Sequence, residues 1–305
     1  MTNNVDNLEV FDLTKVFEIL FLRKYLILLC SAVFFLFGII YSLSIDDRYK
    51  SSAFLQVNSE EMESNASILS SFTSGFGGMG FAGISSSANR SDYAVALINS
   101  RHFIESLSNI GTIKVNLLAT KKYDKQSKKI IYDNNIYDSK ENKFIDEYQN
   151  YDFALKKVFE VIAKDLEVIK DNKTQFISIS FTHHSPIFAK EFLETLLGEL
   201  NELVRAKELE RSISSIEYLK KISENTINNE VLVAISQLIE TELKKQMLAN
   251  ISKNYLLDPI DIPNKPIKKS EPKRSTISII FGFIGFLISS LYFIIVSLRT
   301  RESEI

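Results

Sequence analysis

Two uncharged apolar runs near the ends of the chain constrain its fold more than any other feature. The first occupies residues 25–45 and the second residues 275–298. A helix of about 20 apolar residues can cross the hydrocarbon core of a bilayer, so each run predicts a membrane span. Two spans that flank one long segment place that segment, residues 46–274, on a single side of the membrane. We therefore expect a membrane hairpin that carries one large domain.

Each run has a second interpretation, which we consider weaker. A cleaved signal peptide would have a basic amino-terminal side and a shorter apolar stretch, whereas the first run is preceded by Asp6, Glu9, Asp12 and Glu18. The second run could be the core helix of a soluble domain, but an uncharged core helix of this length would be unusual. Spanning remains the favoured interpretation for both runs.

The distribution of basic residues gives conflicting signals about orientation. Lys15, Arg23 and Lys24 precede the first run, which favours a cytoplasmic amino terminus. Basic residues also precede the second run, on the side that this orientation places outside: Lys265, Lys268, Lys269, Lys273 and Arg274. Long segments translocate largely regardless of charge, and the first helix usually dominates. We expect residues 46–274 to lie on the outer side of the membrane and residues 1–24 and 299–305 to be cytoplasmic.

The composition limits the chemistry of the chain. A net charge of −2 argues against a nucleic-acid partner. Cys30 is the only cysteine and lies within the first run, so an intrachain disulfide and a cysteine metal site are both excluded. Before that run, residues 8–24 have helical apolar periodicity, which is typical of a helix lying at the membrane interface.

Alternation of apolar and polar residues predicts strands at three places. Residues 49–57 alternate imperfectly, and residues 175–182 alternate strictly enough to predict a half-buried strand that pairs with them. Residues 129–138 could form a hairpin that turns at Asn134 and Asn135.

A glycine-rich tract lies between the first strand and a predicted helix that begins at Ala88. It holds half of the ten glycines of the chain: Gly75, Gly77, Gly78, Gly80 and Gly83. Such a backbone can turn freely or allow another surface to approach closely, so a flexible loop and a packing element are both open. A phosphate-binding loop is not predicted, because the lysine of that motif is missing.

The longest helical pattern covers about residues 186–253. Ser185 suits an N-cap and Pro186 the first helical position. Apolar residues then recur at helical spacing, and a weaker patch at residues 224–230 is a candidate break. A helix of this length exceeds a compact domain, so it should protrude from the membrane. Its apolar stripe, with Leu209 and Ile216 as candidate packing residues, should need neighbouring copies as well as its own chain.

A proline-rich segment follows the helical pattern. Residues 258–274 contain four of the five prolines of the chain: Pro259, Pro263, Pro266 and Pro272. Prolines forbid continuation of the helix and favour an extended backbone. We expect a semi-rigid strut that leads the chain back to the membrane.

The order of these features resembles that of Wzz-type chain-length determinants, the polysaccharide co-polymerases of bacterial inner membranes. The resemblance covers nearly the whole chain. Besides the paired spans and the glycine-rich tract, it includes SANRSDYA at 87–94, ISISF at 177–181, HHSP at 183–186, LNEL at 200–203, SISSIEYL at 212–219, QMLAN at 246–250 and the proline strut. In the first of these, Asn89, Arg90 and Asp92 are candidate oligomer or packing residues.

The resemblance implies an α+β membrane protein in which two transmembrane helices flank a periplasmic α/β base with a long protruding helix. It implies a homo-oligomer, a closed ring, that sets the modal chain length of a polysaccharide, in this case the O-antigen of lipopolysaccharide. The implied partners are a membrane polysaccharide polymerase, membrane lipid and a nascent or lipid-linked glycan. Some relatives carry a kinase domain, and the short segment after Leu298 favours the O-antigen type.

No residue pattern predicts an enzyme, a cofactor or a metal site. His183 and His184 are adjacent and should point in opposite directions, so they do not form a metal pair. A basic run at residues 121–129 is either a solvated loop or a contact for an anionic glycan. Two other functions stay open: an export adaptor for capsule or exopolysaccharide, with two spans and a periplasmic helical hairpin, and a membrane sensor.

Overall fold

The computed structural model describes residues 21, 23–58 and 87–302, with the backbone alone at residues 87–89 and 297–302. The chain divides into two compact units. One contains the described residues up to Asp47 together with those from Ser270 onward, and the other is Arg48–Lys269. The predicted interfacial helix at residues 8–24 and the glycine-rich tract lie outside the described residues, apart from the last positions of the former.

Helices and strands follow in this order: α1 (Lys24–Ser44), β1 (Tyr49–Val57), α2 (Ser87–Ile98), α3 (Arg101–Ser108), α4 (Ile113–Ala119), β2 (Thr120–Asp124), β3 (Lys129–Tyr132), β4 (Tyr137–Asp138), β5 (Lys143–Phe144), α5 (Tyr151–Asp165), β6 (Leu166–Lys170), β7 (Ile177–His183), α6 (Pro186–Glu224), α7 (Asn229–Ile251), β8 (Leu257–Asp261) and α8 (Arg274–Glu302). A short 3-10 turn, Asp146–Gln149, precedes α5.

The first unit is a pair of apolar helices, α1 and α8, each long and apolar enough to cross a membrane. Small residues let the two backbones approach closely. A Cβ atom added at Gly38 would stand 2.8 Å from Cβ of Phe281, and one added at Gly285 would stand 2.5 Å from Cβ of Phe34. Most of the large apolar side chains of both helices are exposed, so the core-helix interpretation does not fit α8. Both apolar runs form helices within a few residues of the predicted bounds, and both are candidate membrane spans.

A four-stranded antiparallel sheet is the centre of the second unit, with strand order β6-β7-β1-β8. The two predicted strands form its central pair, in a register that runs from Tyr49 opposite His183 to Leu55 opposite Ile177. Alternate residues of both strands are buried, as the period of two requires. The first half of α6 covers this buried face and completes the core.

The proline-rich strut differs from the sequence-based expectation at its beginning. Residues Leu257–Asp261 form β8, which pairs with β1 at one edge of the sheet. Pro259 is tolerated there because an edge strand leaves one side of its backbone without a ladder partner. Beyond β8 the chain continues past Ser51, whose hydroxyl donates to the carbonyl of Asn264 (2.7 Å). Pro263 is buried, and Pro266 and Pro272 are partly exposed.

The predicted hairpin at residues 129–138 is wrong. The strand Lys129–Tyr132 pairs with the preceding strand, Thr120–Asp124, and the short β4 pairs with β5. Asp124 makes the turn between β2 and β3, because its carboxylate accepts hydrogen bonds from the backbone of Gln126 (2.9 Å) and the hydroxyl of Ser127 (2.6 Å). Asn135 does lie in a turn, but that turn connects two different strand pairs.

The long helical pattern is a hairpin of two antiparallel helices. Ser185 caps α6 by accepting the amide of Phe188 (3.2 Å), and α6 ends at Glu224, inside the patch predicted as a break. Asn228 then caps α7 by accepting the amide of Glu230 (2.9 Å). The hydroxyl of Ser212 joins the two helices by donating to the carbonyl of Glu242 (2.9 Å). We call residues 205–251 the arm.

Candidate functional site

The arm carries apolar side chains on its outer surface as well as between its helices. Ile216 and Ile235 lie between α6 and α7 and are only 9% and 5% exposed. Two helices that pack side by side can bury only one stripe of each. The other apolar side chains of the arm therefore remain open to solvent, the largest of them being Ile213, Tyr218, Ile227, Val233, Leu243, Met247 and Ile251.

The two packing candidates on α6 thus contact their own chain. Ile216 is buried against α7, and Leu209 is partly buried against the main core. The first part of the apolar stripe, from Phe192 to Leu200, is covered by the sheet of the same chain. The cover that we expected from the chain itself comes, for this part of the stripe, from β1 and β7, which the sequence pattern could not place beside it. Cover of the remaining stripe by neighbouring copies stays a prediction.

The SANRSDYA segment packs α2 against the Val57 end of the sheet. The guanidinium of Arg90 donates to the carbonyl of Asn58 (3.1 Å) and stands over the ring of Tyr255 (5.8 Å to its centroid). The carboxylate of Asp92 forms an ion pair with Lys170 on β6. Both candidates therefore contribute to packing within the chain, while the side chain of Asn89 lies outside the described residues.

An open cleft of about 650 Å³ lies at the same end of the sheet. Its lining is rich in side-chain amides and hydroxyls: Gln56, Asn58, Thr174, Gln175, Ser252 and Asn254, with Val57, Phe176, Lys253 and Asp258. Several of these groups already bond to neighbours. Asn254 donates to Asp258 (2.9 Å), and Gln175 accepts from Ser91 (2.8 Å). The cleft is therefore a partly satisfied polar surface and not a set of converging reactive groups.

His183 is the centre of a buried polar network at the opposite end of the sheet. Its Nδ1 accepts the amide of Ser185 (3.0 Å), so Nε2 carries the proton and donates to the carbonyl of Asn116 (3.1 Å). The Asn116 side chain in turn accepts from the hydroxyl of Tyr132 (2.7 Å). Burial lowers the pKa of His183 from 6.5 to about 3, which keeps the ring neutral. The histidine is structural, because it joins α4, β7 and the start of α6.

Asn201 is a structural residue that sequence reasoning did not single out. It lies on α6, is 4% exposed, and holds the beginning of β8 through three hydrogen bonds. Its Oδ1 accepts the amides of Leu256 (2.8 Å) and Leu257 (2.9 Å), and its Nδ2 donates to the carbonyl of Leu257 (3.0 Å). The signal in the sequence was a lone asparagine in an apolar helical stripe, within the LNEL segment.

Among the described residues, no group of three or more His, Cys, Asp or Glu side chains could hold a metal ion. The titratable groups with altered pKa values lie in surface ion pairs and turns or, like His183, in the structural core. For example, hydrogen bonds from Ser127 and Gln126 hold the pKa of Asp124 below its usual value. The described residues present three surfaces that could contact other molecules: the outer face of the arm and the two ends of the sheet.

The comparison with protein families agrees with these features. Residues 9–110 match the family model of Wzz, described as chain length determinant protein. Over these residues the chain is similar to chain length determinant proteins. The matched range includes α1, β1 and the α2 helix that carries SANRSDYA, and it covers about a third of the chain.

Two solved structures of co-polymerases are similar to this chain, at 10% sequence identity. A full-length bacterial polysaccharide co-polymerase gives a TM-score of 0.37, with 93% of this chain and 97% of that chain covered. A fragment of WzzB, a polysaccharide co-polymerase from Salmonella Typhimurium, gives 0.36, with 74% and 100% covered. No curated protein matches the sequence significantly.

Proposed function

We propose that this chain regulates the length of a membrane-assembled polysaccharide as a co-polymerase, without a catalytic site of its own. The observation that carries the proposal is the Wzz match over residues 9–110. The two apolar helices that flank the larger unit support it, since they would hold the domain close to a glycan polymerase in the same membrane. The proposed glycan is the O-antigen of lipopolysaccharide, and the polymerase is the proposed partner.

The proposed location is the bacterial inner membrane, with residues 46–274 in the periplasm and both ends of the chain in the cytoplasm. The basic residues before the first span support this orientation. Reporter fusions after Asn3 and Glu304 should behave as cytoplasmic, and a fusion at Lys125 as periplasmic. The reverse pattern would mean that the basic residues before α8 determine the topology.

The proposed assembly is a closed ring of identical copies. The exposed apolar side chains on the arm support it, because one chain leaves them open to water and a repeated heterologous contact would cover them. In this assembly the arms would contact each other through residues such as Ile213 and Met247.

Deletion of the protein tests the function most directly. We expect glycan synthesis to continue and the preferred length to disappear, so that a gel of lipopolysaccharide shows a broad ladder biased toward short chains. The physical reason is that a regulator sets when chains stop growing, while the polymerase makes the bonds. Complete loss of polymer would contradict the proposal and favour an export adaptor, a function that two spans and a helical hairpin would also suit.

The ring requires exposed residues for its test, because aspartate at Ile216 would disturb the arm itself. Ile213→Glu and Met247→Glu together place charges on the outer face of the arm, where burial of an unpaired charge is costly. We expect mass photometry of the detergent-solubilised protein to show smaller particles and length control to be lost. Ser214→Glu and Ser236→Glu together, at exposed polar positions of α6 and α7, are the matched control. A monodisperse wild-type monomer would refute the ring.

A further inference from the structure

The hairpin formed by β2 and β3 is strongly basic. This basic hairpin, residues 120–132, carries five exposed lysines: Lys121, Lys122, Lys125, Lys128 and Lys129. Its single acidic residue, Asp124, accepts hydrogen bonds from the turn that it stabilises. The proposed function uses none of these lysines, and together they give the hairpin a strongly positive surface.

Two contacts hold the basic hairpin at the beginning of β1, the end of the strand that follows α1 in the chain. The ammonium of Lys125 lies over the ring of Tyr49, the first residue of β1, at 5.8 Å from the centroid. At the other end of the hairpin, Tyr132 bonds to Asn116, which bonds to His183, the residue opposite Tyr49. The segment between Ser44 and Tyr49 can extend at most about 17 Å. Tyr49, over which Lys125 lies, is therefore joined to the last residue of α1 by no more than this length of chain.

A second group of lysines reaches the same end of the sheet. Since β8 is antiparallel to β1, the chain after Asp261 returns toward the beginning of β1, and the bond between Ser51 and Asn264 confirms this course. Exposed Lys265, Lys268 and Lys269 follow, just before the second span.

We propose that the basic hairpin and these three lysines bind the anionic phospholipid headgroups of the bilayer that holds the spans. Clusters of lysines beside a transmembrane helix are attracted to anionic lipids over about one Debye length, and the lysine ammonium is a compact charge suited to phosphate. Binding would fix the tilt of the domain on the membrane. The proposal requires only that α1 and α8 span a bilayer, so it stands or falls separately from length control.

The test measures the distance between the basic hairpin and the lipid headgroups in the full-length chain. Cys30→Ala removes the only cysteine, and Gln126→Cys, in the exposed turn, accepts an environment-sensitive fluorophore. The protein is placed in nanodiscs of phosphatidylcholine alone or with about 30% phosphatidylglycerol, and a lipid spin-labelled at its headgroup quenches the fluorophore. We expect quenching to be about twofold stronger with the anionic lipid and to weaken at high salt.

Charge removal identifies the lysines responsible. Lys121→Gln, Lys128→Gln and Lys129→Gln together should abolish the gain from anionic lipid. The matched control, Lys207→Gln, Lys220→Gln and Lys221→Gln, removes the same charge from exposed positions of α6 and should retain it. Equal quenching of the unsubstituted hairpin in the two bilayers would overturn the proposal without any lysine variant. The proposal would also be overturned if the control variant lost the same gain in quenching. It would be overturned as well if an acidic oligosaccharide, and not the anionic lipid, changed the fluorescence of the labelled hairpin.

Discussion

The two halves of α6 place one continuous helix in two different environments. From Pro186 to Val204 about half of the residues are buried, at helical spacing, because this half of the helix lies on the sheet of its own chain. From residue 205 to Glu224 only Ser212 and Ile216 are buried, and within the described part of the chain this half packs mainly against α7. The difference teaches that the first half owes its stability to a complete core, whereas the second half extends beyond that core with one thin interface and an open apolar face.

The largest expected effect comes from a cavity in the first half. Phe192 is fully buried and its ring centroid lies 4.1 Å from that of Phe181. Phe192→Ala should lower the free energy of unfolding by about 3–5 kcal/mol, because the surrounding sheet and helix cannot close the cavity. Urea unfolding of the detergent-solubilised chain, followed by circular dichroism, measures it.

Ile216→Ala is the matched change in the second half. The arm has one interface and can relax, so we expect a loss near the lower end of the range for such substitutions, about 2 kcal/mol. It should appear as faster amide exchange in the arm, with the sheet unaffected. Equal global destabilisation by the two variants would mean that the arm unfolds together with the sheet as one unit. The two halves of α6 would then not differ in stability.

The features that follow from local sequence pattern were predictable. Period-two alternation predicted β1 and β7 and their pairing, and the polar patch at residues 224–230 predicted the end of α6. Contacts between distant segments were not. The pairing of β2 with β3 depends on the Asp124 turn, and β8 depends on three hydrogen bonds with Asn201, more than fifty residues away in the chain. The exposed face of the arm depends on which stripe α7 covers.

Acid should destabilise the sheet and the helices packed on it more than the arm. The pKa of His183 is about 3 in the folded chain and close to 6.5 when unfolded, because burial disfavours the charged ring. Above pH 6.5 both states are neutral and its contribution is constant. As the pH falls from 6.5 toward 3, only the unfolded chain gains the proton, so stability is lost at up to about 1.4 kcal/mol per pH unit. Between pH 6.5 and 5 the loss is about 2 kcal/mol.

Urea unfolding at several pH values measures this slope. His183→Gln cannot take up a proton and should lose the part of the slope that belongs to this residue, although it is less stable at neutral pH. His102→Gln, at an exposed position, is the control and should keep the slope. If the His183 and His102 variants showed the same pH dependence as the wild type, the buried histidine would not be responsible for the acid sensitivity.

The smallest effect tests whether the two helices of the arm are joined at a single polar point. Ser212 is 2% exposed, and its hydroxyl crosses to the carbonyl of Glu242 on α7. Ser212→Ala removes that bond and should cost about 1 kcal/mol, which corresponds to about fivefold faster amide exchange in the arm around both residues. Ser214→Ala is a close control, because its exposed hydroxyl bonds only within α6, to the carbonyl of Glu210. Both variants gain the same helix propensity, so the difference between them isolates the contact between the helices. A Ser212 variant that exchanges as slowly as the Ser214 variant would show that apolar packing alone holds the arm closed.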